Sequence, residues 1–217
     1  MGTALGEVKR TALTRYVTVR KKGLLAMDLD ENDELGWVRL SNGNNGVMFF
    51  TCDGMAIHFH EEGVRSSGRT SGGVRGIRLN KDDRVISVDL TAEDDYVIIV
   101  TANGYGKKIP VKEFRRQSRG GKGLKAINLG KKTGPVVAAR VISDPDEDIM
   151  LLSTQGRLIR LSLSEVRPMG RYAAGLIVMR LNKNELVAGL AVSGDGRDNP
   201  AIADETEALP GSVDVIS

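Results

Sequence analysis

The sequence has one cysteine, Cys52, in 217 residues. No intrachain disulfide can form, so the fold must hold by packing alone. Aromatic residues make up only 4%, and none lies among the glycines of Ser118 to Gly123, which argues against a stacking platform for single-stranded nucleic acid. Two histidines, His58 and His60, alternate on one strand near Glu61 and Glu62, but without a Cys or His cluster they make a poor metal site. No apolar run approaches the ~20 residues of a membrane span, and no basic-then-apolar leader opens the sequence. A soluble, cytoplasmic protein without a membrane partner is expected. Helical periodicity is also missing: no segment carries an apolar i, i+3, i+4, i+7 stripe beyond one turn at Val111 to Phe114.

What is present is a repeat. Gly23, Gly73, Gly123 and Gly175 open the similar segments Gly23-Leu-Leu-Ala-Met-Asp-Leu29, Gly73-Val-Arg-Gly-Ile-Arg-Leu79, Gly123-Leu-Lys-Ala-Ile-Asn-Leu129 and Gly175-Leu-Ile-Val-Met-Arg-Leu181, about fifty residues apart. Gly6, Gly54, Gly104 and Gly156 keep nearly the same step, each inside a turn such as Cys52-Asp-Gly54 or Ala102-Asn-Gly104. Periods of this size mark propellers and related arrays. Each repeat has an apolar run rich in β-branched residues (Val47 to Phe50, Tyr96 to Val100, Ile149 to Leu152), a turn read as a two-residue hairpin, and a second run such as Arg157 to Leu161. A third strand after the register glycine and a fourth (Arg84 to Leu90, Pro135 to Val141, Glu185 to Val192) complete the unit. The sequence predicts an all-β chain of four repeats, about 1–40, 41–90, 91–141 and 142–193, each a four-stranded blade. The 26 glycines, well above the roughly 7% usual in proteins, belong to its turns and connectors.

Charge is segregated along this array. Residues 194–217 hold six acids (Asp195, Asp198, Asp204, Glu205, Glu207, Asp214) and one base, Arg197, so the net +3 of the chain conceals a more basic body. The tail reads as a solubilising, disordered terminus or as a mimic of DNA that occupies the basic surface. From Lys107 to Lys132, ten cations (Lys107, Lys108, Lys112, Arg115, Arg116, Arg119, Lys122, Lys125, Lys131, Lys132) face one acid, Glu113, a pattern that suits a polyanion. Within it, Gln117-Ser-Arg-Gly-Gly-Lys-Gly123 sets glycines beside cations, so that amides can approach a phosphate while side chains neutralise it. The connectors Arg65 to Arg75 and Arg167 to Gly175 repeat the mixture. On successive blades they would line one rim, suited to duplex DNA gripped by its backbone without base readout.

The heptad Gln117 to Gly123 resembles the gyrase box of the C-terminal domain of the DNA gyrase A subunit, a six-bladed β-pinwheel. Gly68 to Gly73, Gly170 to Gly175, Val8 to Leu13 and Gly104 to Pro110 resemble other parts of it, over residues 1 to about 193. This resemblance implies a non-catalytic module that binds and wraps duplex DNA beside a topoisomerase cleavage core, supporting ATP-dependent negative supercoiling with the ATPase subunit. It implies nucleoid association and no cofactor in this chain, ATP and Mg2+ serving other parts of the holoenzyme. The DNA-binding residues it implies, taken with the charge pattern, are Arg65, Arg69, Arg75, Arg115, Arg116, Gln117, Arg119, Gly120, Gly121, Lys122, Gly123, Lys125 and Arg171.

Two departures qualify the match. Ser118 stands where the family prefers a base, and the heptad lies in the third of four visible repeats, so it is either the functional box or a later-blade copy. The strand before Gly6 would begin upstream of Met1, which reads as a chain starting inside a blade, a fragment or short form holding the last four of six. Two rival functions share the pattern: the C-terminal domain of the topoisomerase IV A subunit, and a protein-interaction propeller. Asp144, Asp146 and Asp148 look like the start of a calcium loop, but Ile149 and Gln155 stand where Gly and Glu are needed. Lys122 lacks the Ser or Thr that follows a P-loop lysine. Arg15-Tyr16 has no acidic cluster beside it, so Tyr16 is read as a packing residue. No constellation for catalysis emerges.

Overall fold

The computed structural model describes residues 1–17, 22–143 and 147–193. The first repeat gives β1 (Gly2–Thr3), β2 (Glu7–Val8) and β3 (Leu35–Trp37). The second gives β4 (Gly46–Thr51), β5 (Met55–His60), β6 (Val74–Arg75) and β7 (Val85–Thr91), and the third β8 (Tyr96–Thr101), β9 (Tyr105–Pro110), β10 (Leu124–Lys125) and β11 (Val136–Ile142). The fourth gives β12 (Asp148–Ser153), β13 (Leu158–Ser162), β14 (Leu176–Ile177) and β15 (Val187–Ser193). Helix is confined to four single 3-10 turns among the described residues, one of them at Val111–Glu113. The chain is all-β, a β-pinwheel.

A blade, however, is not a repeat. The sheets run β3-β1-β2-β6, β10-β5-β4-β7, β11-β8-β9-β14 and β13-β12-β15, all antiparallel. The short strand after each register glycine leaves its own repeat and pairs with the hairpin of the one before: Val74 on Val8, Leu124 on Ala56, Leu176 on Gly106. One strand of each later repeat is therefore exchanged across a blade boundary, and the last sheet has three strands among the described residues. The Gly-rich connector causes the exchange, because it carries the chain across to a neighbour before the fourth strand brings it home.

Packing explains why the central runs are apolar throughout instead of alternating. Every residue of β4 is buried. Successive side chains of a strand point to opposite faces, so Val47 and Phe49 join Val8, Ile57, Phe59 and Ile77 between the first two blades. Met48 and Phe50 join Val97, Ile99 and Phe114 between the next two. Ile98 and Val100 then pack with Met179 on Ile149 and Leu151 of the last blade. A strand buried on both faces needs no polar side.

The hairpins have three-residue loops, not two. Gly6, Gly54, Gly104 and Gly156 donate to the residue three back, at 3.0–3.1 Å, and take φ of +73° to +91°, while Asp53 and Asn103 keep negative φ. A type I turn followed by a left-handed glycine meets this geometry. The hydroxyl of Thr3, Thr51, Thr101 or Ser153 accepts from the amide of the residue after the glycine, that of Glu7, Met55, Tyr105 or Arg157. Near the hub, Asp89 of β7 joins three blades by accepting from Arg39 at 2.8 Å, Arg140 at 3.1 Å and the Val141 amide.

Candidate nucleic-acid interface

The three basic connectors are positioned alike because each leans on the strand of the repeat before it. Asp28, Arg78 and Asn128 donate their amides to Ser71, Gly121 and Ala173. The arginine of each connector answers with its guanidinium: Arg69 to the Leu25 carbonyl at 2.8 Å, Arg119 to the Arg75 carbonyl at 3.1 Å, Arg171 to the Lys125 carbonyl at 2.9 Å. Equivalent contacts put the connectors at equivalent places on successive blades.

In the heptad, the Gln117 amide donates to His58 and the Gly120 amide to Gly76, while Arg119 also reaches the Gly63 carbonyl at 2.8 Å. Gly120 and Gly123 adopt φ of +80° and +76°. A Cβ on Gly123 would lie 2.4 Å from the Ala56 carbonyl oxygen, so this glycine is what lets β10 meet β5. Gly121 has room for a side chain. Among the described residues no acceptor is bonded to the amides of Gly121 and Lys122.

The candidate cations differ in what they have left to offer. Arg65, Arg75, Arg115 and Lys122 are exposed and have no partner among the described residues. Arg116 faces Glu93 at 3.6 Å and Lys125 donates to Asn128 at 2.8 Å, both on the surface, where such pairs are weak. Arg69, Arg119 and Arg171 spend hydrogen bonds on the braces described above. Arg78, not singled out by sequence, is exposed beside Gly121. Its offset from the register glycine, shared with Asp28, Asn128 and Arg180, was the available signal.

Two members of the basic run do not belong to the surface. Lys107 is fully buried and Lys108 nearly so, because β9 is enclosed by its neighbours and by the connector above it. Lys107 donates to the carbonyls of Gly170 and Arg171 at 2.9 and 2.7 Å, and Lys108 to Leu163. Lys9, at the equivalent place of the first blade, donates to Ala26, Arg69 and Ser71. Desolvation, helped by the charge of Arg171, lowers the Lys107 pKa to about 8. The connectors at 68–73 and 170–175 thus sit on a buried ammonium, whereas the heptad sits over Ile57. The first connector also meets an acid, since Gly73 donates to the Glu7 carboxylate at 3.2 Å.

His58 is buried, with Nδ1 2.9 Å from the Phe114 carbonyl, and burial lowers its pKa. His60 faces Asn44 and Glu62. Tyr16 packs by its hydroxyl near the Ala26 carbonyl. Asp148 pairs with Arg160, while Asp144, Asp146 and the acidic tail lie outside the described residues. No group of three metal-ligating side chains occurs among the described residues, and no helix there is long and apolar enough to cross a membrane.

Strand exchange between fifty-residue repeats, with Gly-Arg connectors on successive blades, defines a β-pinwheel. The chain belongs to the family described as DNA gyrase C-terminal domain, beta-propeller, whose model matches residues 1–42, 47–92, 95–143 and 147–193. It is 38% identical over 213 residues to the DNA gyrase A subunit of Salmonella typhimurium, covering 98% of this chain and 24% of that protein. It is 39% identical over 190 residues to that of Escherichia coli K12, covering 88% and 22%. The chain therefore spans about a quarter of the length of these relatives. Among solved structures it is similar to the C-terminal domain of DNA topoisomerase IV (TM-score 0.82, 26% identity, 88% of this chain and 60% of that one). The DNA gyrase A C-terminal domain is also similar (TM-score 0.78, 27% identity, 88% and 64%).

Proposed function

We propose that the connectors at 65–75, 115–125 and 167–175 form a track for the backbone of duplex DNA, read without regard to sequence. The observation that carries this reading is the set of exposed, unpaired cations Arg65, Arg75, Arg115 and Lys122 on connectors held alike from blade to blade. Arg116, Lys125 and the three brace arginines add charge, Gln117 and the glycines shape the loop, and the free amides of Gly121 and Lys122 can donate to a phosphate. A curved track bends its ligand. Bending 20–30 bp by 40–90° costs about 1–6 kcal/mol, which many phosphate contacts offset together. The module itself needs no cofactor, so a chelator should leave binding intact. Attached to a cleavage core and an ATPase subunit, it would hold a wrapped segment for strand passage toward negative supercoiling.

The test is a salt titration of binding to linear duplex DNA, followed by relaxation, ligation and measurement of linking number. Each phosphate contact contributes about −0.9 to the slope of log K against log salt. Steep, sequence-indifferent binding with a linking-number shift supports a wrapping module of the gyrase kind. Binding without a shift favours a track that holds DNA without wrapping it, toward the topoisomerase IV likeness. Failure to bind at low salt overturns the reading in favour of a protein-interaction propeller.

A further inference from the structure

The root of each connector is fastened by the fourth residue after a hairpin glycine. The carbonyl of Arg10, His58 or Lys108 accepts the amide of Ser67, Gln117 or Met169 at 2.8–2.9 Å. The side chain of the same residue reaches the 3-10 turn before that connector, or the residue that closes it: Arg10 to Glu61 at 3.6 Å, Lys108 to the Leu163 carbonyl at 2.6 Å, and His58 through Nδ1 to the Phe114 carbonyl at 2.9 Å. Only under the heptad is the fastening a histidine, the residue type among these three whose charge ordinarily changes near neutral pH.

The His58 ring is 5% exposed. With Nδ1–H donating to Phe114, Nε2 is an acceptor, buried and without a partner. Gly46 closes that side so tightly that a Cβ there would lie 2.6 Å from Nε2. A neutral acceptor left alone costs less than a buried charged donor with nothing to accept it. A protonated ring meets that demand by leaving its site, and leaving breaks the bond to Phe114. The charged groups around it offer no relief. Arg116 on the connector is a cation, paired with Glu93, and His60 lies two residues along the same strand. Asp89, two strands away in the same row, is taken up by Arg39 and Arg140. Glu61 accepts from Ser41 and Asn45, Glu62 faces His60, Lys125 of β10 lies at the far end of β5 opposite Met55, and Lys112 and Glu113 are exposed. Burial first, then Arg116 and His60, lower the His58 pKa from 6.5 against the pull of the Phe114 bond.

We infer that His58 is the positioning residue of the heptad connector and holds it only while the ring is neutral, so that acid releases Gln117 to Gly123 from the second blade. The connectors fastened by Arg10 and Lys108 do not share this response. On the DNA-track reading above, release would disorder the amides of Gly121 and Lys122, but the fastening stands or falls without DNA.

Amide hydrogen exchange on the DNA-free protein from pH 5 to 8, with the chemical exchange rate divided out, tests it. Protection of the Gln117 amide should fall below pH 6.5 by up to about tenfold per pH unit, the limit for one proton, while that of Met169 stays level. The fall should level off at the pH where NMR finds the His58 imidazole half protonated. His58→Gln, whose amide can donate to Phe114 but does not titrate, should hold Gln117 without pH dependence, with circular dichroism checking the fold, and His60→Gln should keep the response. Level protection of Gln117 in the wild type, a fall shared by Met169, or a fall that follows the His60 midpoint overturns the inference, as does an undiminished response in His58→Gln.

Discussion

At the scale of single residues, two buried charges each make stability rise with pH, in different windows. Glu185 accepts from Ser153, the Asn182 amide and Arg157, which bring its pKa from 4.5 to about 2. Its contribution to stability is complete above the unfolded value and is lost as pH falls from 4.5 toward 2. Glu185→Gln should therefore flatten the acid limb of a pH-dependent denaturation series, and an unchanged limb would contradict this. Lys107 is a base with a lowered pKa, about 8 against 10.5. Between those values the unfolded chain holds more protons, so stability rises with pH. Lys107→Met should remove that rise, which thermal unfolding from pH 7.5 to 10.5 would read. Sequence showed the lysine but placed it in the surface cluster, because a charge run does not reveal which strand will be enclosed.

At the scale of elements, glycine decides whether strand exchange can occur. Gly123 combines a left-handed φ with a 2.4 Å approach to a backbone oxygen, whereas Gly120 has the φ but a nearest neighbour at 3.4 Å. Forcing a Cβ into the left-handed region costs roughly 1–2 kcal/mol. Gly120→Ala should lose about that much stability, and Gly123→Ala clearly more, since β10 must also retreat from β5. Equal losses in chemical denaturation would mean that the close approach does not matter. The register glycines and hairpin glycines were legible as a period. Their partners were not, because a two-residue strand carries too little pattern to announce which sheet it joins, and the three-residue loop differs from a two-residue one only in where the ladder closes.

At the scale of the whole molecule, stability is a sum of blade units and the interfaces between neighbours. The second and third blades are covered on both sides, by the clusters around Phe49 and Ile57, Phe50 and Ile99, and Ile98 and Leu151. Hydrogen exchange should be slowest in β4, β5, β8 and β9 and faster in β13, whose outer edge carries no strand among the described residues. Uniform protection across the four sheets would argue instead for a single cooperative unit.

The sequence by itself determined the all-β class, the number and period of the repeats, the apolar runs and the basic connectors. These follow from local pattern: side-chain alternation, turn chemistry and composition. Only the tertiary structure decided which repeat each short strand serves, which lysines of one basic run are enclosed, and that the arginines of the connectors hold neighbouring strands. Those outcomes depend on contacts between residues some fifty positions apart, such as Arg69 with Leu25 and Lys107 with Gly170. No local pattern records them, because the partner is chosen by the geometry of the neighbouring blade.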